Sequence, residues 1–424
     1  MNRVVSDRYQ ESYYEETLPN GLKVVVWYKP GYEKSFAMMS TPMGAFDVSQ
    51  IDSKGNTYQY PPGIAHFLEH KLFENENRDV MEDFSKMGAS VNAATTYDLT
   101  TYYFQTSTDL YEPLNLLLDF TQSLDITKES VEKEKGIIVQ ELNMYDQMSD
   151  FRLVKETFAT LFKDHPLKYD IGGTIDSVNN TTLEELEACY KYNYHPSTMI
   201  CMIVTGKDPQ EVLSMVKENQ SKKKFPSINS IHRRKCRECE EVVNNHVQFN
   251  MDVTTPKVNV AFKLKGIKNP IERVKMEIGI RYLMDSMFTT MNEEYQEWLD
   301  DEIINDFFGY ESDFGEDYGY LMIYTETNKI NQFKEMVLSH LDKLKSNTYN
   351  EKVFCQLKKR YFGENIKELN DFEAISFGFV RNYFNKMNFF DLLETMDSFT
   401  IQDIEKIREN LDFNNYSIIE CLPM

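Results

Sequence analysis

The sequence predicts an α+β protein of two duplicated, α/β-sandwich-like halves, each a mainly antiparallel sheet with helices packed on one face. Three observations carry this. The 424 residues suffice for two ordinary domains with real cores. Strand-like runs rich in Val, Thr and aromatics alternate with segments of helical period, in the same order twice along the chain. Between the two series lies "ENQSKKKFPSINSIHRRKCRECEE", a polar stretch that carries Pro226 and clusters base before acid. The expected division is a first domain at 1–218, a linker at 219–245 and a second, homologous domain at 246–424.

In the first half, "LKVVVWY" from Leu22 reads as a strand and "SFAMMSTPMGAF" from Ser35 as its partner. The period then changes: Ile64, Phe67, Leu68, Leu72 and Phe73 in "PPGIAHFLEHKLFE" recur at helical spacing behind two prolines suited to a helix entry. "GASVNAATTYDLTTYYFQTS" reads as a strand pair turning near Tyr97 and Asp98. Helices are expected near 109–123 and 129–148, and "STMICMIVTG" as a buried closing strand. The second half repeats the order with "VNVAFKLKG", "ERVKMEIGIRYLMDSMF", "GYLMIYTET" and "YSIIECL".

Composition excludes several classes. A formal charge of −22 argues against a nucleic-acid or anionic-membrane partner, since both need a basic footprint. "MNRVVSDRYQESYYEE" has no apolar core of a signal peptide, and no stretch is long enough to span a bilayer, so a cytoplasmic location is expected. Six irregularly spaced cysteines do not make a disulfide framework. Cys236 and Cys239 form the single C-x-x-C, a weak signal for a zinc or redox site.

The chemistry concentrates in "HFLEH", His66 to His70, which holds two of the chain's seven histidines. On a helix, residues i and i+4 lie about 40° apart, so His66, Glu69 and His70 point together. Two neutral imidazoles one turn apart can bind one zinc ion, with the carboxylate near the position a water would take. The order inverts H-E-x-x-H, the inverzincin arrangement. A third ligand is needed, and Glu134 and Glu141, two turns apart in "TKESVEKEKGIIVQELNMYDQ", share one face; Glu141 could ligate with Glu134 in support. His165 and His195 each precede a proline and read as turn residues, and His340 as structural.

With these motifs assembled, the chain resembles the pitrilysin superfamily, which includes insulin-degrading enzyme and the mitochondrial processing peptidases. "GIAHFLEHKLFE", "GASVNAATTYDLTTYYF", "VEKEKGIIVQELNMYDQ", "DIGGTIDSV" and "YKYNYHPSTMICMIVTG" fall in the family's order across nearly all of residues 15–210. The closest likeness is to compact bacterial two-domain members, some of which work as paired unlike subunits and trim peptides. The resemblance implies that His66, His70 and Glu141 hold one zinc ion, that Glu69 is the general base activating water, and that Glu134 is a supporting acid. It places Asn92 and Ala93 where the family presents an edge strand to extended peptide, a docking mode driven by backbone hydrogen bonds. The implied activity is a zinc metalloendopeptidase, the alternative a non-catalytic structural or peptide-binding subunit.

One departure is informative. Self-sufficient members carry an arginine followed by a tyrosine in the second half, but "YQEWLDDEIINDFFGYESDFGEDYGY" has no arginine, and "IGIRYLMDSMF" has no histidine. The expectation is that this chain forms half of a clamshell, and that an unlike subunit of the same fold, rather than a second copy, supplies the arginine and tyrosine.

Overall fold

Ser35–Thr41 and Ile200–Thr205 are buried along their whole length. A strand buried on both faces belongs in the middle of a covered sheet. The computed structural model, which describes residues 1–75, 78–344 and 348–424, places them there. The chain forms two compact units, one of Met1–Leu142, Asp170–Arg234 and Ile366–Phe384, the other of Asn143–Tyr169, Lys235–Asn365 and Asn385–Met424. Segments 143–169 and 366–384 therefore belong to a unit other than that of their sequence neighbours. The crossing at Arg234 to Lys235 falls inside the polar 219–245 stretch.

The first unit's sheet runs Asn2–Ser6, Glu11–Thr17, Lys23–Tyr28, Ile200–Thr205, Ser35–Thr41, Thr100–Thr106, Ala89–Thr95. Ile200–Thr205 pairs parallel with Lys23–Tyr28 and antiparallel with Ser35–Thr41. The expected direct pairing of Lys23–Tyr28 with the Ser35 strand is thus corrected: the later strand inserts between them, because a fully apolar strand is best buried at the centre. The Thr100–Thr106 and Ala89–Thr95 strands form the expected hairpin, leaving Ala89–Thr95 at the edge.

Val24, Val26, Ala37, Met39, Tyr102 and Phe104 face one core, shared with the helices Ile64–Phe73, Tyr111–Thr121 and Pro209–Ser221. The opposite face is covered by the Phe372–Phe384 helix. Phe379 lies 5.0 Å from Tyr13 and 6.4 Å from Trp27, and Phe377 lies 5.4 Å from Tyr103, each edge to face. Phe379, Tyr13 and Trp27 are buried, and each such side chain contributes roughly 1.5–3 kcal/mol.

In the second unit the order is His246–Met251, Tyr416–Pro423, Lys257–Leu264, Gly319–Glu326, Gly309–Phe314, with the first pair parallel and the rest antiparallel. Order and sense match the five strands of the first sheet from Lys23–Tyr28 to the Ala89–Thr95 edge, so the duplication is topological. Pro270–Phe288 and Ile330–Leu344 pack on Val258, Val260 and Phe262. Ser149–Leu161 covers the other face, where Asn259 Nδ2 donates to Thr157 Oγ1 at 2.9 Å and Phe158 meets Tyr320 at 5.0 Å. No helix among the described residues is long and apolar enough to cross a membrane.

Candidate metal centre

The Ile64–Phe73 helix buries Ile64, Ala65, Phe67, Leu68, Lys71 and Leu72. Its apolar stripe fixes the rotation, and His66, Glu69 and His70 share what remains. The entry is clamped as well. Gly63 has φ +89°, and a Cβ there would collide with the Gly172 carbonyl oxygen; Gly173, at φ +85°, abuts the Pro62 oxygen likewise. Only glycine tolerates such an approach in that conformation. The same loop sets Gly172 beside His66 Nδ1.

The facing helix, Lys128–Asp146, buries Val131, Glu134, Ile138 and Leu142. Glu134 Oε1 lies 2.9 Å from His70 Nδ1, while Glu141 Oε2 lies 3.4 Å from His70 Nε2 and 3.8 Å from His66 Nε2. Glu134 and Glu141, inseparable by spacing, thus sit on opposite nitrogens of one ring. The imidazole centroids of His66 and His70 are 4.5 Å apart.

Burial holds the His66 imidazole down at about 4, with His70 adding to the effect, so it is neutral at pH 7. For His70 burial also acts downward, but the hydrogen bonds to Glu134 and then Glu141 outweigh it and lift the ring to about 9. Burial pushes the Glu69 carboxyl up, opposed by a hydrogen bond from Thr95.

Among the described residues, the one group able to hold a metal ion is His66, His70 and Glu141, whose donor atoms lie within 4.8 Å of one another. A four-coordinate ion with N and O ligands near 2.05 Å needs its donors roughly 3.4 Å apart, a small inward adjustment. The charges fit too. Glu69, Glu134 and Glu141 bring three carboxylates, and the Lys71 ammonium is 3.9 Å from Glu134 Oε2, so a dication restores neutrality. Cys236 and Cys239 join no such group; Cys239 Sγ rests beside Glu238 at 3.1 Å and Lys263 Nζ at 3.7 Å.

Asn92 and Ala93 lie on the Ala89–Thr95 edge strand, opposite Tyr103 and Tyr102. The Ala93 N–H donates to Asn92 Oδ1 at 2.9 Å. Among the other histidines, His165 and His195 each accept the backbone N–H two residues on, at 3.2 Å, and His340 packs against Trp298 at 4.9 Å. Sequence reasoning missed Lys71, Thr95 and the Gly172 loop. The twin glycines of "DIGGT" were the available signal for the loop.

Residues 56–175 match the family model described as "Insulinase (Peptidase family M16)" and residues 180–361 the one described as "Peptidase M16 inactive domain". The chain is 34% identical over 420 residues to the "Uncharacterized zinc protease YmfH" of Bacillus subtilis, covering 98% of each. A solved M16-like peptidase from Alicyclobacillus acidocaldarius superposes with a TM-score of 0.93 at 30% identity, over 98% of this chain and 99% of that one. The "Probable mitochondrial-processing peptidase subunit beta" of Arabidopsis thaliana is 27% identical over 209 residues, 48% of this chain and 37% of its own length.

Proposed function

The chain belongs to the insulinase, or M16, peptidase family, and on that footing we propose that it is a zinc metalloendopeptidase acting on short or unfolded peptides, with the metal and the catalysis assigned to the first domain, residues 1–218. The observation that carries the reading is the His66, His70 and Glu141 donor set with Glu69 on the same helix. His66, His70 and Glu141 would hold one zinc ion, which supplies Lewis-acid polarisation of the scissile carbonyl and a lowered pKa for attacking water.

The chain's own residues do the rest. His66, neutral by burial, is ready to ligate. His70 donates its Nδ1–H to Glu134 Oε1, which fixes the ring and leaves Nε2 for the ion. Glu69 takes a proton from the attacking water, and its raised affinity for that proton suits it to a base that must hold the proton and then pass it to the leaving amine. An extended substrate adds to the Ala89–Thr95 edge, its carbonyl taking the Ala93 N–H in place of Asn92 Oδ1.

The absence of arginine from 295–320 supports a second, unlike subunit of the same fold that completes the substrate site. A similar chain described as a subunit of a processing peptidase is consistent with that arrangement. Six free cysteines fit a reducing, cytoplasmic compartment.

The test is to incubate the zinc-loaded chain with a library of extended peptides and read products by mass spectrometry, with Glu69→Gln as the blank. Cleavage by the wild type alone supports the peptidase and removes the need for a partner. If zinc binds but neither the chain alone nor the chain with a same-fold partner cleaves, the non-catalytic alternative takes its place.

A further inference from the structure

Glu69 stands half-buried on the Ile64–Phe73 helix, and a general base so placed needs its orientation fixed by something other than the solvent. Among the described residues, Thr95 does this: its hydroxyl donates to Glu69 Oε2. Thr95 is the last residue of the Ala89–Thr95 edge strand, paired opposite Thr100 in the hairpin that ties the edge to the sheet. It lies two residues beyond Ala93, about 7 Å along a strand rising near 3.4 Å per residue. The Thr100 hydroxyl in turn donates to the Met43 carbonyl at 2.8 Å, so this end of the hairpin is anchored in the buried sheet.

We propose that Thr95 is a positioning residue for the general base: it holds Oε2, leaves Oε1 free to take the water proton, and puts the base in register with the strand on which the substrate docks. The inference rests on reading Glu69 as the base of a peptidase. Two distances that catalysis must keep fixed, water to base and scissile carbonyl to water, are then both referred to one rigid strand. A misplacement of about 1 Å can cost on the order of 100-fold in rate. Thr95 is therefore expected to act on turnover and not on affinity for substrate or metal.

The experiment compares wild type, Thr95→Val and Thr95→Ser as zinc-loaded full-length protein, with any partner subunit that activity requires. Valine keeps the shape and removes the hydroxyl, and serine restores it. The expected result for Thr95→Val is a kcat lowered roughly 10- to 100-fold with KM within about twofold, and for Thr95→Ser recovery of most of that loss. Two readouts separate positioning from mere structure. The zinc dissociation constant, by chelator competition, is expected to stay within about twofold in Thr95→Val. In a Glu69→Gln background, the affinity for an uncleaved extended peptide is expected to be the same whether or not Thr95→Val is added.

Unchanged kcat in Thr95→Val, equal losses in the valine and serine variants, or a zinc affinity that falls more than tenfold would each overturn the inference while leaving the peptidase standing. No Glu69-dependent cleavage by the wild type would overturn the peptidase reading and this inference with it.

Discussion

The Ile64–Phe73 helix of the first unit and the Pro270–Phe288 helix of the second follow equivalent central strands, yet their polar faces are built to opposite ends. In the second unit Arg281 and Asp285, one turn apart, meet the Glu351–Glu368 helix. Asp285 accepts from the hydroxyls of Tyr310 and Tyr361 at 2.7 Å each and from Arg360 at 2.8 Å, and Arg281 pairs with Glu364 at 2.6 Å. Each anion there has its cation. In the first unit the same helix-facing-helix arrangement gathers three carboxylates around two imidazoles and leaves a place for a cation. Each edge strand also bonds its unit's helix, at different places: Thr95, beside the hairpin turn, bonds Glu69, and Tyr310, near the far end of its strand, bonds Asp285. One topology therefore carries a self-neutralised slot and an acceptor-rich one, and the capacity for a metal lies in the side chains, not in the sheet.

The contrast can be broken by substitution. Glu69→Gln is expected to lower kcat by roughly 10²- to 10⁴-fold with zinc still bound, checked by turnover and by metal content. The matched change in the second unit, Asp285→Asn, leaves zinc binding intact. It removes one of the two carboxylates on the half-exposed Arg360, which keeps Glu364 at 3.0 Å, and leaves the Tyr310 and Tyr361 hydroxyls on a neutral group; the expected cost is about 1–2 kcal/mol of stability, read from chemical denaturation. A loss of zinc in Asp285→Asn would mean that the two slots are not independent.

A smaller effect sharpens the first slot alone. Glu134→Gln keeps the size of the group on His70 Nδ1 but removes its charge, and zinc affinity is expected to fall 10- to 100-fold, measured by competition with a chelator. An unchanged affinity would show that Glu134 does not support the ligand.

The smallest effect is on protons. In the metal-free protein His70 is held at about 9 and His66 at about 4. At pH 7 His70 carries a proton that a metal must displace, while His66 carries none. Zinc uptake between about pH 5 and 8 is therefore expected to release about one proton from the pair, with affinity rising about tenfold per pH unit and levelling above about 9. Below about 4 His66 protonates as well, and the dependence steepens. Calorimetry in buffers of different ionisation enthalpy reads the proton directly, and a release near zero would contradict the raised His70.

Much of this was legible because it is local. The spacing of His66, Glu69 and His70 sets their common face by helix geometry, and the Tyr97–Asp98 turn sets the hairpin that makes Ala89–Thr95 an edge. The topological duplication was legible too, from the repeated order of apolar runs. What spacing could not separate was Glu134 from Glu141, since residues two turns apart share a face, and only the depth and tilt of the Lys128–Asp146 helix decide that one reaches Nδ1 and the other Nε2 of His70.

The sequence by itself thus determined the chemistry on offer: two imidazoles and a carboxylate on one helical face, a pair of glutamates on another, and an edge strand, because these depend on periods of 3.6 and 2 residues. The tertiary structure alone decided which groups meet. It inserted Ile200–Thr205 between two earlier strands, brought residues 366–384 to cover the first sheet, set the 170–174 glycine loop on His66, and put the Thr95 hydroxyl on Glu69. The physical reason is that a sheet buried on both faces must find apolar cover wherever the chain supplies it, and a buried carboxylate a donor. Neither demand leaves a fixed spacing in the sequence.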